Sequence, residues 1–161
     1  MLFEDVLSEA ALAEAQRIAN EIINFLKPKV KKIAIAGSIA RKKSDVGDID
    51  LVAVLKNSYE EIKNDLMNKE GVTNVKGGKS KISFSYKNMK IDLWFTSEES
   101  FDATRLHFSW GKGIIHAKSV AKNKGYTLNR YGLYKKNQLI TSKPSEIFKI
   151  IGVTPKNDLG L

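Results

Sequence analysis

Gly37-Ser38-Ile39-Ala40-Arg41-Lys42-Lys43-Ser44-Asp45-Val46-Gly47-Asp48-Ile49-Asp50-Leu51 is the stretch on which the fold turns. It opens where the apolar run KIAIAG (Lys32 to Gly37) stops and closes inside DLVAVL (Asp50 to Leu55). Both runs read as buried strands, and the second is apolar nearly throughout, as a strand covered on both faces would be. A strand that runs into Gly-Ser and then a helix turns backbone N–H groups and a hydroxyl toward an anion. Arg41, Lys42 and Lys43 follow within one turn. A tight turn with a solvated basic face would look the same. Asp48 and Asp50 stand two apart at a strand start, so their carboxylates point to one side. Side by side they repel, and a divalent cation would relieve this. Alone, such a pair also suits an exposed strand end or a turn cap.

Outward from this stretch, KISFSY (Lys81 to Tyr86) alternates with period two, turns at Asn88-Met89, and returns as KIDLWF (Lys90 to Phe95), a hairpin pattern. Asp92 sits between Ile91 and Leu93, so it faces away from its apolar neighbours. On a strand adjacent to Asp48 and Asp50 it would complete three convergent carboxylates, a donor set for hard oxygen-loving ions such as Mg²⁺. Two such ions suit in-line phosphoryl displacement.

Upstream, residues 8–26 form an amphipathic helix pattern, with Ser8 as cap, Leu12, Ala15, Ile18, Ala19, Ile22, Ile23 and Leu26 on one face, and Lys27-Pro28 as the stop. Ser58 to Met67 is a second helix, with Ile62 and Leu66 inward. Downstream the spacing predicts a helix near Glu99 to Phe108 and a basic helix from Ile114 to about Asn123, stopped by Gly125. It further predicts a strand over Tyr126 to Leu133, a turn at Lys136-Asn137 and a short helix over Ser145 to Ile151.

Net charge is +9 over 161 residues, and it is unevenly placed. Residues 101–161 carry eleven Lys or Arg against Asp102, Glu146 and Asp158, whereas residues 1–100 are nearly balanced. A cationic lobe on a near-neutral body suits a phosphate-rich polymer, or a solubilising surface. There is no cysteine, so disulfides and thiolate metal sites are excluded. His107 and His116 are the only histidines. No run of eighteen apolar residues exists, and no basic stretch precedes an apolar one at the N-terminus, so neither a membrane span nor a secretory signal is expected.

Taken together, Gly37-Ser38-x-x-Arg41 and Gly47-Asp48-Ile49-Asp50-Leu51, with Asp92 about forty residues on, resemble the nucleotidyltransferase signature in the form used by family X DNA polymerases. The likeness continues in His107-Phe108-Ser109, in Lys124-Gly125-Tyr126-Thr127-Leu128-Asn129-Arg130-Tyr131-Gly132-Leu133-Tyr134, which resembles the thumb signature, and in Ser145 to Gly152, which resembles the closing helix. It runs from about residue 15 to residue 152. The resemblance implies an α+β fold: a nucleotidyltransferase palm, a mixed sheet with helices, over 1–100, and a small basic α+β thumb over 101–161. On this resemblance the chain is expected to be a palm and thumb only, without the lyase and fingers modules of larger members, a plan that resembles the smallest virus-encoded members.

The same resemblance implies roles. Asp48, Asp50 and Asp92 would hold two Mg²⁺ ions, with Mn²⁺ able to substitute. Gly37, Ser38, Arg41 and Gly47 would lie along the triphosphate, His107 and Phe108 against sugar and base, and Lys118 near the nascent pair. Asn129 and Tyr131 would brace the thumb helix, Asn129 also counting among the nucleotide-site residues, and Lys90 would stand behind Asp92. Lys112, Lys118, Lys122, Lys124 and Arg130 are the expected DNA contacts. The implied activity is dNTP transfer to a primer 3′-OH on gapped or primer-template DNA, by a monomer in the cytoplasm, or in a virion or host cytoplasm if the source is viral. Template-independent transfer or another nucleotidyltransferase activity, on a drug, RNA or protein, and a catalytically decayed DNA-binding module are the alternatives. Three departures stand out. Ala40 replaces the usual first basic residue, Ser-Trp-Gly replaces Thr-Gly-Ser after Phe108, and Trp94 and Arg130 stand where larger members pair an Arg with a Glu.

Overall fold

The computed structural model describes residues 3–43 and 46–161, with side chains from residue 9 onward. Helix α1 (Phe3–Leu26) leads through a 3₁₀ turn (Lys27–Lys29) into β1 (Val30–Ala36). The helix starts earlier than expected, so Ser8 lies within it and not at its start. The side chain of Ser8 falls outside the described residues. One turn of helix, α2 (Gly37–Ala40), precedes β2 (Asp48–Leu55). Helix α3 (Tyr59–Met67) is capped by Ser58, whose Oγ accepts from the Glu61 N–H at 3.1 Å.

Next come β3 (Val72–Gly77), β4 (Lys81–Tyr86) and β5 (Met89–Thr96). The β4–β5 hairpin turns at Lys87-Asn88, one residue earlier than the sequence suggested. Both residues take positive φ, 50° and 65°, the pairing that matches strand twist in a two-residue hairpin. The five strands form one mixed sheet in the order β1-β2-β5-β4-β3, with β2 and β5 parallel and the other neighbours antiparallel.

One face of this sheet is the main core. Ile49, Leu51, Ile82, Phe84, Ile91 and Leu93 are buried there under Ala15, Ile18, Ile22 and Leu26 of α1 and Ile62 and Leu66 of α3. The opposite face is covered only in part. Val52 and Val54 meet Phe101 of α4 (Phe101–Ser109), with Trp94 and Phe108 alongside. Strand β2 is therefore covered on both faces toward its C-terminal end, while its N-terminal end, carrying Asp48 and Asp50, is not.

The C-terminal part has its own cluster. Helix α5 (Gly113–Asn123) and α6 (Pro144–Ile151) pack on a small antiparallel sheet of β6 (Thr127–Asn129), β7 (Gly132–Lys135) and β8 (Gln138–Thr141), burying Ala117, Ala121, Leu128, Leu133, Ile147 and Ile151. The single strand expected over Tyr126 to Leu133 is in fact two, broken at Arg130-Tyr131. Asn129 Oδ1 accepts from the Tyr131 N–H at 2.8 Å, and this fixes the reversal. The fold is α+β, as the sequence implied.

Candidate active site

The register of the large sheet decides where the carboxylates go. Asp50 pairs with Asp92 across the parallel β2–β5 ladder, Ala36 of β1 lies opposite Asp50 on its other side, and Ser83 of β4 lies opposite Asp92. Residues in register on neighbouring strands point to the same face. A row Ala36–Asp50–Asp92–Ser83 therefore crosses four strands on the face that α1 and α3 leave free. Asp48, two residues before Asp50, extends this row toward solvent beside Lys90, its own register partner. Exposure falls along the set: Asp48 is exposed, Asp50 half-buried, and Asp92 only 8% exposed.

Each inner carboxylate has an identifiable neighbour. Asp92 Oδ1 accepts from Ser83 Oγ at 2.6 Å, and Lys81 Nζ stands 4.0 Å away. Asp50 Oδ1 accepts from Trp94 Nε1 at 3.2 Å. The other oxygen, Oδ2, lies where a Cβ on Gly37 would collide with it. Gly37 also has φ of +72°, so both its backbone and its missing side chain are required here. Burial pushes the Asp50 carboxyl above its ordinary value. The Trp94 hydrogen bond lowers it, and the charges of Asp92 and Asp48 raise it again.

Among the described residues, no three carboxylates or histidines converge closely enough to hold an ion as they stand. The donor set nevertheless suits a hard divalent cation, since it consists of three aspartates on one sheet face at a graded, partly open edge. Asp50 Oδ1 is held by Trp94 and Asp92 Oδ1 by Ser83, so both inner carboxylates already have a protein donor.

The remaining expected residues divide into groups. Phe108 stacks on Trp94, ring centroids 4.2 Å apart at 21°, and His107 meets Phe108 edge-on at 5.0 Å. His107 Nδ1 is buried without a partner, and its pKa is lowered to about 4, first by burial, then by the charges of Lys118 and Arg130. Phe108 is thus linked to the carboxylate row through Trp94, which donates to Asp50, and His107 stands behind Phe108 with the charges of Lys118 and Arg130 acting on it.

Trp94 and Arg130 also meet, the Arg130 guanidinium carbon lying 5.9 Å from the Trp94 ring centroid. This places a cation over an indole. Thr104 Oγ1 lies 2.7 Å from the Arg130 carbonyl and Ser100 Oγ donates to the Tyr131 carbonyl at 2.9 Å, so α4 fixes the β6–β7 turn.

Arg41 lies near enough to Asp50 for its charge to favour the ionised carboxyl, but its head group is engaged elsewhere. Its Nη1 donates to the Ser109 carbonyl at 3.2 Å, and it borders a cleft of about 450 Å³ with Trp110, His116 and Lys156 that none of the three aspartates line. Gly47 is exposed with open space around it. Ser38 is half-buried in α2. Lys112 and Lys122 are exposed, whereas Lys124 Nζ donates to the Ile151 carbonyl at 2.8 Å at the end of α6. Sequence reasoning passed over Ser83, Lys81, Ser100 and Thr104. For Ser83 the period-two alternation of β4 was the available signal.

No protein-family model matches the chain. Two isolates of African swine fever virus, Pretoriuskop and Warthog Namibia, each have a curated protein called "Repair DNA polymerase X" that is 27% identical over 135 residues, covering 77% of this chain and 78% of theirs. The corresponding protein of a Malawi isolate is 25% identical over 158 residues, covering 83% and 91%. The chain is similar in sequence to these viral repair DNA polymerases. The architecture, a mixed five-stranded sheet with helices and a small second sheet, is consistent with a small polymerase of that kind. Among the described residues no helix is long and apolar enough to cross a membrane.

Proposed function

We propose that this chain is a DNA polymerase of family X that transfers a nucleotidyl group from a dNTP to a primer 3′-OH, with release of pyrophosphate, on short gaps in DNA under repair. The observation that carries the reading is the register pairing of Asp50 with Asp92, with Asp48 on the same face and Gly37-Ser38 immediately above. The names of the viral relatives support polymerase and repair activity. The reaction, the ions and the gap preference rest on the site chemistry.

Asp48, Asp50 and Asp92 would hold two Mg²⁺ ions, which when bound supply charge to the attacking and leaving oxygens of an in-line displacement. Asp92, steadied by Ser83, would lie nearest the primer hydroxyl. Ser38 and the turn at Gly37 would face the triphosphate, with Arg41 close behind. Phe108, stacked on Trp94, would pack on the incoming sugar, and neutral His107 beside it would shape the pocket without adding charge. The basic helix α5 would run along the DNA backbone, contacting phosphates irrespective of sequence, with the protein acting as a monomer.

The test is incorporation of labelled dNTP with Mg²⁺ on gapped, nicked and single-stranded primers of one sequence. Templated extension strongest on the gap supports the reading. Extension of the single strand alone assigns template-independent transfer. Absence of extension on all three, with DNA binding retained, assigns a binding module.

A further inference from the structure

We propose that the groove beside the β4–β5 turn binds the sugar-phosphate backbone of the primer strand, upstream of its 3′ end, through Thr73, Asn74 and Ser85. The inference rests on the nucleotidyl-transfer reading of the three aspartates and assigns a site that this reading leaves open. The groove encloses about 610 Å³, and Thr73, Asn74, Ser85, Lys87, Asn88 and Lys90 are among its lining residues. None of the lining residues is acidic.

Register ties the groove to the carboxylates. Asp48 pairs with Lys90, Lys90 with Ser85, and Ser85 with Thr73. Residues in register share a face. This second row therefore runs beside the row of Asp50, Asp92 and Ser83 and continues past it to the outer strand β3. From β2 to β3 it crosses three strand spacings, about 14 Å. That is the rise of about four nucleotides along one DNA strand.

In-line displacement decides which strand lies here. The attacking oxygen and the leaving pyrophosphate stand on opposite sides of the transferred phosphorus. Gly37, on the triphosphate side, follows Ala36, the register partner of Asp50 on β1. The primer hydroxyl then comes from the other side of Asp50, over β5 and β4, and the nucleotides preceding it continue toward β3.

The donors suit a backbone of any sequence, since hydroxyl and amide side chains bond phosphate oxygens without reading bases. Lys87 is turned aside, its Nζ paired with Glu21 Oε2 at 2.9 Å, so the charge comes from Lys90. The register shift between Thr73 and Lys76 sets Asn74 and Val75 against Phe84 alone. Such a bulge re-aims a side chain, and Asn74, at φ of +55°, lines the groove.

The experiment measures binding of the full chain to a gapped duplex, without dNTP, by fluorescence anisotropy. Primer phosphates at the second to fourth positions from the 3′ end are replaced by neutral methylphosphonates. The native chain should bind this primer about tenfold more weakly than the unmodified one, as expected for several lost hydrogen bonds. T73V/N74G/S85A, in which glycine keeps the positive φ at 74, should bind unmodified DNA about tenfold more weakly and lose little more on the modified primer. Methylphosphonates at the same steps of the template should weaken both proteins alike. If the triple variant folds poorly, T73V alone, on the exposed edge strand, should show the same insensitivity at one primer phosphate.

A native chain indifferent to the primer substitutions overturns the inference. So does a variant that loses as much on them as the native chain, or a coupling that appears with the template strand instead. Incorporation of dNTP by the native chain on unmodified gapped DNA is scored in parallel. Extension without a response to the primer substitutions removes the groove and keeps the polymerase reading, whereas absence of extension removes that reading and the inference with it.

Discussion

Asp50 and Asp92 are register partners on parallel strands, with Asp48 on the same face two residues earlier. Burial and the neighbouring carboxylates both disfavour the ionised form of Asp50. A group held under such conditions costs the metal-free fold stability and is explained by function. Asp50→Asn should therefore raise the melting temperature of the metal-free protein while lowering nucleotide incorporation at least about a hundredfold, the scale expected when transition-state charge is left unbalanced. DNA affinity should stay within a few-fold. Incorporation at the native rate would remove Asp50 from the reaction, and a lower melting temperature would show that its carboxylate is structural.

Gly37 and Asp50 are coupled sterically. An alanine at 37 would take a left-handed backbone, costing about 1–2 kcal/mol, and would drive its Cβ into Asp50 Oδ2. Gly37→Ala should thus destabilise by about 2–3 kcal/mol in chemical denaturation. In an Asp50→Ala background the clash with the carboxylate is gone and the cost should shrink toward the backbone part, with a residual contact to the Cβ at position 50. Costs that simply add in that double-mutant cycle would mean the two residues do not meet in solution.

His107 offers a pH-dependent test. Its pKa in the folded chain is lowered to about 4 from an ordinary 6.5, so between these values the unfolded chain binds a proton that the folded chain does not. Stability should then fall as pH drops from 6.5 toward 4, by about 1.4 kcal/mol per pH unit from this group, and level off below. His107→Phe should lose that slope. Burial is the first cause and the Lys118 charge the second, so Lys118→Ala should move the His107 titration upward in a proton NMR titration without restoring 6.5. An unchanged titration would place Lys118 away from His107.

The legible part of the molecule is the part governed by local period. KIAIAG, DLVAVL, KISFSY and KIDLWF carry their strands in their alternation or apolar run, and Ser58, Gly125 and Gly152 mark helix ends by their own chemistry. Strand β3 was missed because VTNVKG is an edge strand whose side chains are largely exposed, leaving no apolar alternation to read. Strand β8 is only four residues long, and β6 and β7 looked like one strand because Asn129, which turns the chain, does so through a side-chain hydrogen bond.

At the site, residue types and faces could be read from the sequence, whereas pairings could not. That Trp94 serves Asp50, that Arg41 turns to the Ser109 carbonyl, and that Thr104 reaches the Arg130 carbonyl all depend on which strands and helices become neighbours. Local sequence does not encode that choice.

The lysines of α5 and its end are expected to differ in kind, although charge counting treats them alike. Lys122 is exposed and Lys118 half-buried beside His107, one turn apart on the same helix. Lys124 donates to the Ile151 carbonyl, a cation at a helix C-terminus, which stabilises that end. Removing one lysine that neutralises a duplex phosphate should flatten the slope of log K against log salt by about 0.9. Replacing Lys118 and Lys122 together by alanine should therefore weaken binding to every gapped duplex alike and reduce that slope by about one to two. Lys118→Ala should also slow incorporation beyond its effect on binding, since its charge acts on His107, which meets Phe108 edge-on. Lys124→Ala should leave the salt slope nearly unchanged and instead lower stability by about 1 kcal/mol, because α6 would then end without its cationic cap. Salt titrations of the Lys118/Lys122 double variant that superimpose on the native curve would move the DNA surface off α5. A slope change in Lys124→Ala with no stability loss would mean that its ammonium leaves Ile151 for the DNA backbone.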